Sequence, residues 1–332
     1  MYNHSSTRQY LARNNLDLNR LYFHFSASSG DLWHIASTLL ELLSLHPHCM
    51  ILSSSKYADL LRIFIGESKL KDRVIILPDN HDPYIRNLTS TDRDSTHPLP
   101  PDSLAYEKGV IRPCHLVMYP YFAGLQMSGC ISYFKLLKHA LGMLQMQSPG
   151  SPLFYTKWNY NNANLLLKEI NTDNYVLINP INFSHKSLSL YSWRNLIQQI
   201  HANNKKVIFN ISRSAEVSKD YLSDILAITP DSKTINIPLH LMALVMNRFP
   251  VVAGIDGGGM TVAAGFTTSS CFIVGTQSLF FPEYAAFRRV ACNNPYANEF
   301  AYAFRGNLNN IEYIYTDELD DSNLHILESM LT

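Results

Sequence analysis

The chain has 332 residues, of which 46% are hydrophobic and 16% charged, a composition typical of a folded globular protein with room for two domains. Lys plus Arg and Asp plus Glu both number 27, so the formal net charge is zero. The basic excess of nucleic-acid-binding proteins is missing, and we expect no nucleic-acid partner.

The amino-terminal residues are polar and lack the apolar segment of a signal peptide. No apolar run reaches the roughly 18 residues that a membrane-spanning helix needs. The five cysteines are scattered and form no CxxC pair, which favours buried thiols in a reducing compartment. We therefore expect a cytoplasmic protein with at most peripheral membrane association.

Strands and helices alternate in the first part of the chain. The predicted elements are a strand at 21–25, a helix at 32–45, a strand at 49–52, a helix at 57–65 and a strand at 73–77. This βαβαβ order is typical of a doubly wound sheet.

Asp31 lies where the first predicted strand passes into the first predicted helix, directly after the turn Ser28, Ser29 and Gly30. An aspartate at such a junction caps helices well. It can equally present a carboxylate to a cleft at the carboxyl edge of the sheet. The residues alone leave both interpretations open.

Residues 78–113 are polar and rich in proline, which predicts a long loop of the kind that often lines sites. A strand is predicted at 115–119. Residues 121–146 are rich in aromatic residues and Met, with helical spacing in the section FKLLKHALGMLQM, and we interpret its Met and Leu stripe as core.

Residues 148–162 combine Pro, Gly and Asn and are interpreted as an interdomain linker, which gives domains at 1–155 and 156–332. The elements predicted after it are helices at 164–170, 191–203, 217–228, 239–249, from about 260, and 320–331, with strands at 175–178, 206–211, 234–237, 251–255 and 271–274. The predicted fold class is therefore α/β of the GT-B type, with two Rossmann-like doubly wound domains facing across a cleft.

The segment 250–275 predicts a buried parallel strand that ends at Asp256 and is followed by Gly257, Gly258 and Gly259. Ligands of open α/β sheets collect at the carboxyl ends of strands, and glycines before a helix N-terminus suit phosphate. A tight strand-to-helix turn without a ligand would have the same sequence, so this motif does not decide function by itself.

Several segments nevertheless occur together in a familiar order. Three segments resemble those of bacterial glycosyltransferase family 9, the ADP-heptose:lipopolysaccharide heptosyltransferases. They are SSGDLWHIASTLLELLSLHP, VLINPINFSHKSLSLYSW and GIDGGGMTVAAGF. The resemblance spans roughly residues 21–277 and implies an inverting GT-B glycosyltransferase. Nucleotide-sugar epimerases, hydrolases and non-catalytic sugar-nucleotide-binding proteins of GT-B fold are the alternatives.

The resemblance implies roles for three charged residues. Asp31 would be the general base, Lys186 would neutralise the donor diphosphate, and Glu216 would bind the ribose or the base. Taken alone, Lys186 is a solvated loop lysine and Glu216 is an acid in the first turn of a helix.

Donor contacts are implied for Asp256, Gly257, Gly258 and Thr261. The family has histidine where this chain has Thr261, and Thr or Ser where it has Gly257. Threonine can donate a hydrogen bond but carries no charge, so a different donor sugar or an inactive relative is compatible with the sequence.

The acceptor side is predicted from residues at the end of the long loop of the first domain and directly after it: Arg112, His115, Tyr119 and Tyr121. The expected partners are a nucleotide-sugar donor and a saccharide, glycolipid or protein acceptor, at the inner face of the inner membrane. Neither a cofactor nor a metal is expected, because such enzymes use a lysine and a helix N-terminus instead.

Overall fold

The protein consists of two compact units, Met1–Phe154 and Tyr155–Thr332. The computed structural model describes residues 15, 22–25, 33, 36, 39–45, 47–77, 110–111, 153–180, 188–211, 219–275, 311–316 and 318–332. The predicted loop at 78–113, apart from 110–111, and the predicted strand at 115–119 and helix within 121–146 lie outside these residues.

The first unit holds a four-stranded parallel sheet in the order β3-β2-β1-β4. Its elements are β1 (Tyr22–Phe25), α1 (Leu39–Leu45), β2 (Met50–Ser54), α2 (Ala58–Arg73), β3 (Val74–Leu77) and β4 (Val110–Ile111). The strands predicted at 21–25, 49–52 and 73–77 are confirmed, with small shifts at their ends.

Aromatic packing fixes the core of this unit. Trp33 and Phe64 are fully buried and meet edge to face, with ring centroids 5.1 Å apart. Helix α2 continues past the predicted end at residue 65. It is kinked at Gly66, which adopts a positive φ of 79°, and the helix resumes after this kink. Phe154 donates its backbone N–H to the Ile63 carbonyl at 2.6 Å, which ties the last residue of the unit to α2.

The second unit holds a six-stranded parallel sheet. Its strands are β5 (Tyr175–Asn179), β6 (Lys206–Asn210), β7 (Lys233–Ile235), β8 (Val251–Ile255), β9 (Ser270–Gly275) and β10 (Ile311–Tyr315). Its helices are α3 (Lys157–Leu166), α4 (Leu190–Ala202), α5 (Lys219–Ile228), α6 (Met242–Met246), α7 (Gly258–Phe266) and α8 (Asp321–Leu331). The spatial order is β10-β9-β8-β5-β6-β7. This is the 3-2-1-4-5-6 order of a Rossmann sheet, read from the other edge.

Both faces of this sheet are covered, since all five residues of β8 are buried. One face packs against α4, α5 and α8, where Trp193 and Leu327 are fully buried beside Phe209 and Phe272. Helix α8 was predicted at 320–331 and begins after its N-cap Asp320, which forms a capping box with Asn323.

Two predictions for this unit, the linker and the helix at 239–249, are wrong, and one strand was missed. Residues 157–162 belong to α3 and not to a linker, because Thr156 forms a capping box with Asn159 that starts the helix despite its polar sequence. Strand β10 was not predicted at all. The helix predicted at 239–249 is a 3-10 turn at Leu239–Leu241 followed by the short α6. No helix in the described parts of the chain is both long and apolar enough to cross a membrane.

Candidate functional site

The order of the second sheet reverses between β5 and β8. From β5 the chain moves to one side through β6 and β7, and from β8 it moves to the other side through β9 and β10. Asn179, the last residue of β5, pairs in register with Gly254 of β8. A doubly wound sheet binds its ligands outside the strand ends at such a reversal. The candidate site is therefore the carboxyl edge of the sheet at β5 and β8, where Asn179 ends β5 and Asp256 directly follows β8.

Asp256 is fixed through both its backbone and its side chain. Its N–H donates to the Val274 carbonyl of β9 at 2.8 Å, and its Oδ2 accepts from the Tyr313 hydroxyl of β10 at 2.9 Å. Only 4% of Asp256 is exposed. A buried carboxylate needs such hydrogen bonds to offset its lost hydration, and these bonds also set its orientation.

Asp256 directly precedes the N-cap of α7, Gly257. This helix has no side-chain cap, and its first internal bond runs from the Thr261 N–H to the Gly257 carbonyl at 2.8 Å. The amides of Gly258, Gly259 and Met260 come before that bond, and the glycines at this end are half-buried. Such a helix end carries partial positive charge and suits an anion.

A buried amide ladder supports the first turn of α7. The Asn210 side chain donates to Asn179 Oδ1 at 2.8 Å, and Asn179 Nδ2 lies 3.5 Å from Met260 Sδ. Asn210 Oδ1 in turn accepts from the Ile237 N–H at 3.3 Å. A Cβ on Gly259 would lie 2.7 Å from Asn179 Oδ1, so the close approach of helix and strand requires glycine there.

Four of the predicted site residues are described, and the structure brings them together at the β8–α7 junction: Asp256, Gly257, Gly258 and Thr261. Thr261 is 8% exposed and lies one turn inside the helix, whereas the two glycines are half-buried at its end. The remaining predicted residues lie outside the described residues: Asp31, Arg112, His115, Tyr119, Tyr121, Lys186 and Glu216.

The chain that follows the Lys186 segment is clamped by Tyr221 of α5. The Tyr221 hydroxyl accepts from the Leu188 N–H at 3.0 Å and donates to the Leu188 carbonyl at 2.7 Å. It also accepts from Trp193 Nε1 at 2.6 Å. Burial raises the pKa of the Tyr221 hydroxyl, so it stays a neutral donor and acceptor. These three hydrogen bonds, called the Tyr221 anchor below, therefore fix the chain two residues after Lys186.

The sequence reasoning missed three residues of this site. Asn179 and Asn210 each end an apolar strand run, LIN and IFN. A polar residue at the carboxyl end of such a strand indicates a candidate site residue. Tyr313 follows no comparable pattern, because it lies within the strand that was not predicted. Cys49 and Cys271 are buried, as expected, and burial raises the pKa of the Cys271 thiol to about 12. Among the described residues, no group of three or more His, Cys, Asp or Glu is placed to hold a metal ion.

Comparison with solved structures identifies the fold. The ADP-heptose lps heptosyltransferase II of E. coli matches with a TM-score of 0.55 at 14% identity, covering 94% of this chain and 98% of that one. A glycosyl transferase family 9 protein from Veillonella parvula matches with a TM-score of 0.52 at 13% identity, over 95% and 97% of the two chains. This is the GT-B fold.

The predicted fold class, α/β with Rossmann-like units, is thus confirmed. No protein-family model matches the chain, and no curated protein matches its sequence. At these identities the two structural matches establish the fold, and activity has to be argued from the site.

Proposed function

We propose that this chain is an inverting, metal-independent glycosyltransferase that moves a sugar from a nucleoside-diphosphate donor to a saccharide or glycolipid acceptor. The main support is the oriented carboxylate of Asp256 beside the N-terminus of α7, at the reversal point of the second sheet. This pairs a hydrogen-bond acceptor suited to sugar hydroxyls with amides suited to phosphate.

In this proposal the second unit binds the donor. The amides of Gly258 and its neighbours contact a phosphate, and Asp256 accepts hydrogen bonds from hydroxyls of the sugar. Lys186 neutralises the charge that grows on the diphosphate as it leaves, and Glu216 binds the ribose or the base.

The first unit binds the acceptor and supplies the base. An acceptor hydroxyl attacks the anomeric carbon as the bond from that carbon to the diphosphate oxygen breaks, and its electron pair leaves with the diphosphate. Asp31 takes the hydroxyl proton, and attack from the face opposite the leaving group inverts the anomeric configuration. Arg112, His115, Tyr119 and Tyr121 are proposed to bind the acceptor.

Heptose is the first donor sugar to test, because the similar E. coli protein is named for ADP-heptose. Thr261 stands where the resembling family has a histidine, and its hydroxyl can donate a hydrogen bond without carrying charge. A donor other than ADP-heptose is therefore part of the proposal. A glycolipid acceptor would place the protein at the inner face of the inner membrane, and a protein acceptor remains an alternative to test.

A thermal-shift panel of nucleotides and nucleotide sugars tests the donor site. A ligand at about 100 times its Kd stabilises the folded state by about 2.7 kcal/mol, or about 5–10 °C for a domain of this size. We expect one diphosphate class to raise Tm and Lys186→Ala to lose most of that shift, while Lys168→Ala, at an exposed position, keeps it.

The thermal-shift panel, followed by a donor-consumption assay, also separates the alternative functions. A chain that no nucleotide stabilises has the fold without the donor site. Consumption of donor without acceptor indicates an epimerase or a hydrolase, and tight binding without turnover indicates a sugar-nucleotide-binding protein.

A further inference from the structure

We propose that Tyr313 is a positioning residue of the donor site, whose hydroxyl holds the Asp256 carboxylate in the orientation that binds the hydroxyls of the donor sugar. This inference rests on the proposed function. It assigns a residue from the last strand of the sheet to the recognition of the sugar, as distinct from the nucleotide.

The geometry that carries this inference spans three neighbouring strands. Asp256 follows β8, its N–H is held by Val274 of β9, and its Oδ2 is held by Tyr313 of β10. Tyr313 lies opposite Ile273 in the β9–β10 register, so its place is set by the sheet and not by a loop. The pairing of β9 with β10 and the Asp256–Val274 backbone hydrogen bond therefore hold both members of this bond in place, which makes the carboxylate a rigid acceptor.

The neighbouring strand leaves room for this hydroxyl. Gly275 ends β9, and a Cβ there would collide with the Tyr313 hydroxyl oxygen and lie 2.9 Å from its Cζ. Any side chain at position 275 would thus displace the hydroxyl from Asp256. Glycine at this position and tyrosine at 313 together build the hydrogen bond.

A single hydrogen bond from Tyr313 does not by itself exhaust the acceptor capacity of a carboxylate, which offers about four sites. The tyrosine hydroxyl contributes to the ordering of the Asp256 carboxylate before the sugar arrives. Its loss leaves more of that ordering to the binding step, which weakens affinity. The nucleotide is proposed to bind elsewhere, through α7 amides, Lys186 and Glu216. Loss of the hydroxyl should therefore weaken binding of the nucleotide sugar but not of the nucleotide alone.

Isothermal titration calorimetry on the full chain tests this selectivity. The probes are ADP-heptose with ADP, and UDP-glucose with UDP in parallel. For the pair that binds, we expect Tyr313→Phe to raise the Kd of the nucleotide sugar about tenfold and to change that of the nucleotide less than about twofold. Tyr191→Phe, at an exposed position in the same unit, is the matched control and should change neither Kd.

A double-mutant cycle tests whether Tyr313 acts through Asp256. In an Asp256→Asn background the effect of Tyr313→Phe should shrink to less than about twofold, because the charged partner is gone. Gly275→Ala provides a second variant that keeps the tyrosine but displaces its hydroxyl, and it should reproduce the selective loss. Circular dichroism and the urea midpoint check that each variant is folded.

Each other outcome overturns a defined part of the proposal. Equal weakening of nucleotide and nucleotide sugar, no weakening at all, or full additivity with Asp256→Asn would each overturn the positioning role of Tyr313. If the wild-type chain binds neither pair but another nucleotide raises its Tm, the same comparison is made with that nucleotide and its nucleotide sugar. If no nucleotide is bound at all, the proposed donor site itself is overturned, and the role of Tyr313 is overturned with it.

Discussion

The Tyr221 anchor provides a prediction whose size can be worked from the structure. Tyr221→Phe removes one oxygen and with it three hydrogen bonds, to Trp193 Nε1 and to both backbone groups of Leu188. Trp193 is fully buried, so its N–H loses its partner where water does not reach, which costs about 1–3 kcal/mol. The Leu188 groups, in a partly buried setting, add about 1 kcal/mol. We expect the second unit to lose about 2–4 kcal/mol, or about 5–15 °C in Tm.

Two measurements check this value. Urea unfolding followed by tryptophan fluorescence gives the stability change, and hydrogen exchange gives the local opening at Leu188, whose amide should lose protection. Tyr191→Phe makes the same chemical change on an exposed ring and should cost less than about 0.5 kcal/mol. A Tyr221→Phe variant as stable as that control, with an equally protected Leu188 amide, would refute the anchor.

Three further substitutions test the second sheet and its ends. Gly259→Ala should destabilise by about 1–3 kcal/mol in urea unfolding because its methyl would crowd Asn179, although Gly→Ala within a helix is ordinarily stabilising; a stabilised variant would contradict the packing. Asn210→Leu should cost about 2–4 kcal/mol by the same measurement, since Asn179 and the Ile237 N–H both lose a buried partner, and an unchanged urea midpoint would contradict the ladder. The Cys271 thiol has a pKa of about 12 in the folded chain and about 9 in the unfolded chain. Its contribution to the free energy of unfolding is therefore complete below pH 9 and is lost as pH rises toward 12. Wild type should lose about 2 kcal/mol more than Cys271→Ala between pH 8 and about 10.5, and equal losses would contradict the burial of the thiol.

Most strands of the two sheets, all except β4 and β10, were predictable because their signal is local. The apolar run of β8 ends sharply at Asp256 and three glycines, and the predicted bounds 251–255 are those observed. A parallel strand buried on both faces needs such a continuous apolar run, and few other structures do. The same reasoning found β5, β6 and β9 within one or two residues.

The first two turns of helix α3 and the whole of strand β10 were missed for different physical reasons. The composition of residues 157–162 is typical of a loop, but the reciprocal bonds of Thr156 and Asn159 begin a helix whose face buries Asn159 and Ala163. Tertiary packing and a cap there outweigh propensity. The β10 segment is a short strand at the edge of the sheet, and nothing in its own sequence indicates that it pairs with β9.

The site was predictable only where the chain itself brings residues together. Asp256 and the glycines are consecutive, so the turn that joins β8 to α7 already implied their proximity. The Asp256–Tyr313 bond joins residues 57 positions apart through a sheet order that sequence does not reveal. The placement of Asp31 and Lys186 remains a prediction from the family resemblance.

The most direct test of the central claim is a transfer assay with the donor that stabilises the chain most. Donor consumption is measured with and without a lipopolysaccharide-core acceptor, for wild type and for Asp31→Asn. We predict turnover that requires the acceptor, a product of inverted anomeric configuration, and a loss of at least about 100-fold in Asp31→Asn with donor binding intact. Acceptor-independent turnover, or full activity in Asp31→Asn, would contradict the proposed transferase mechanism.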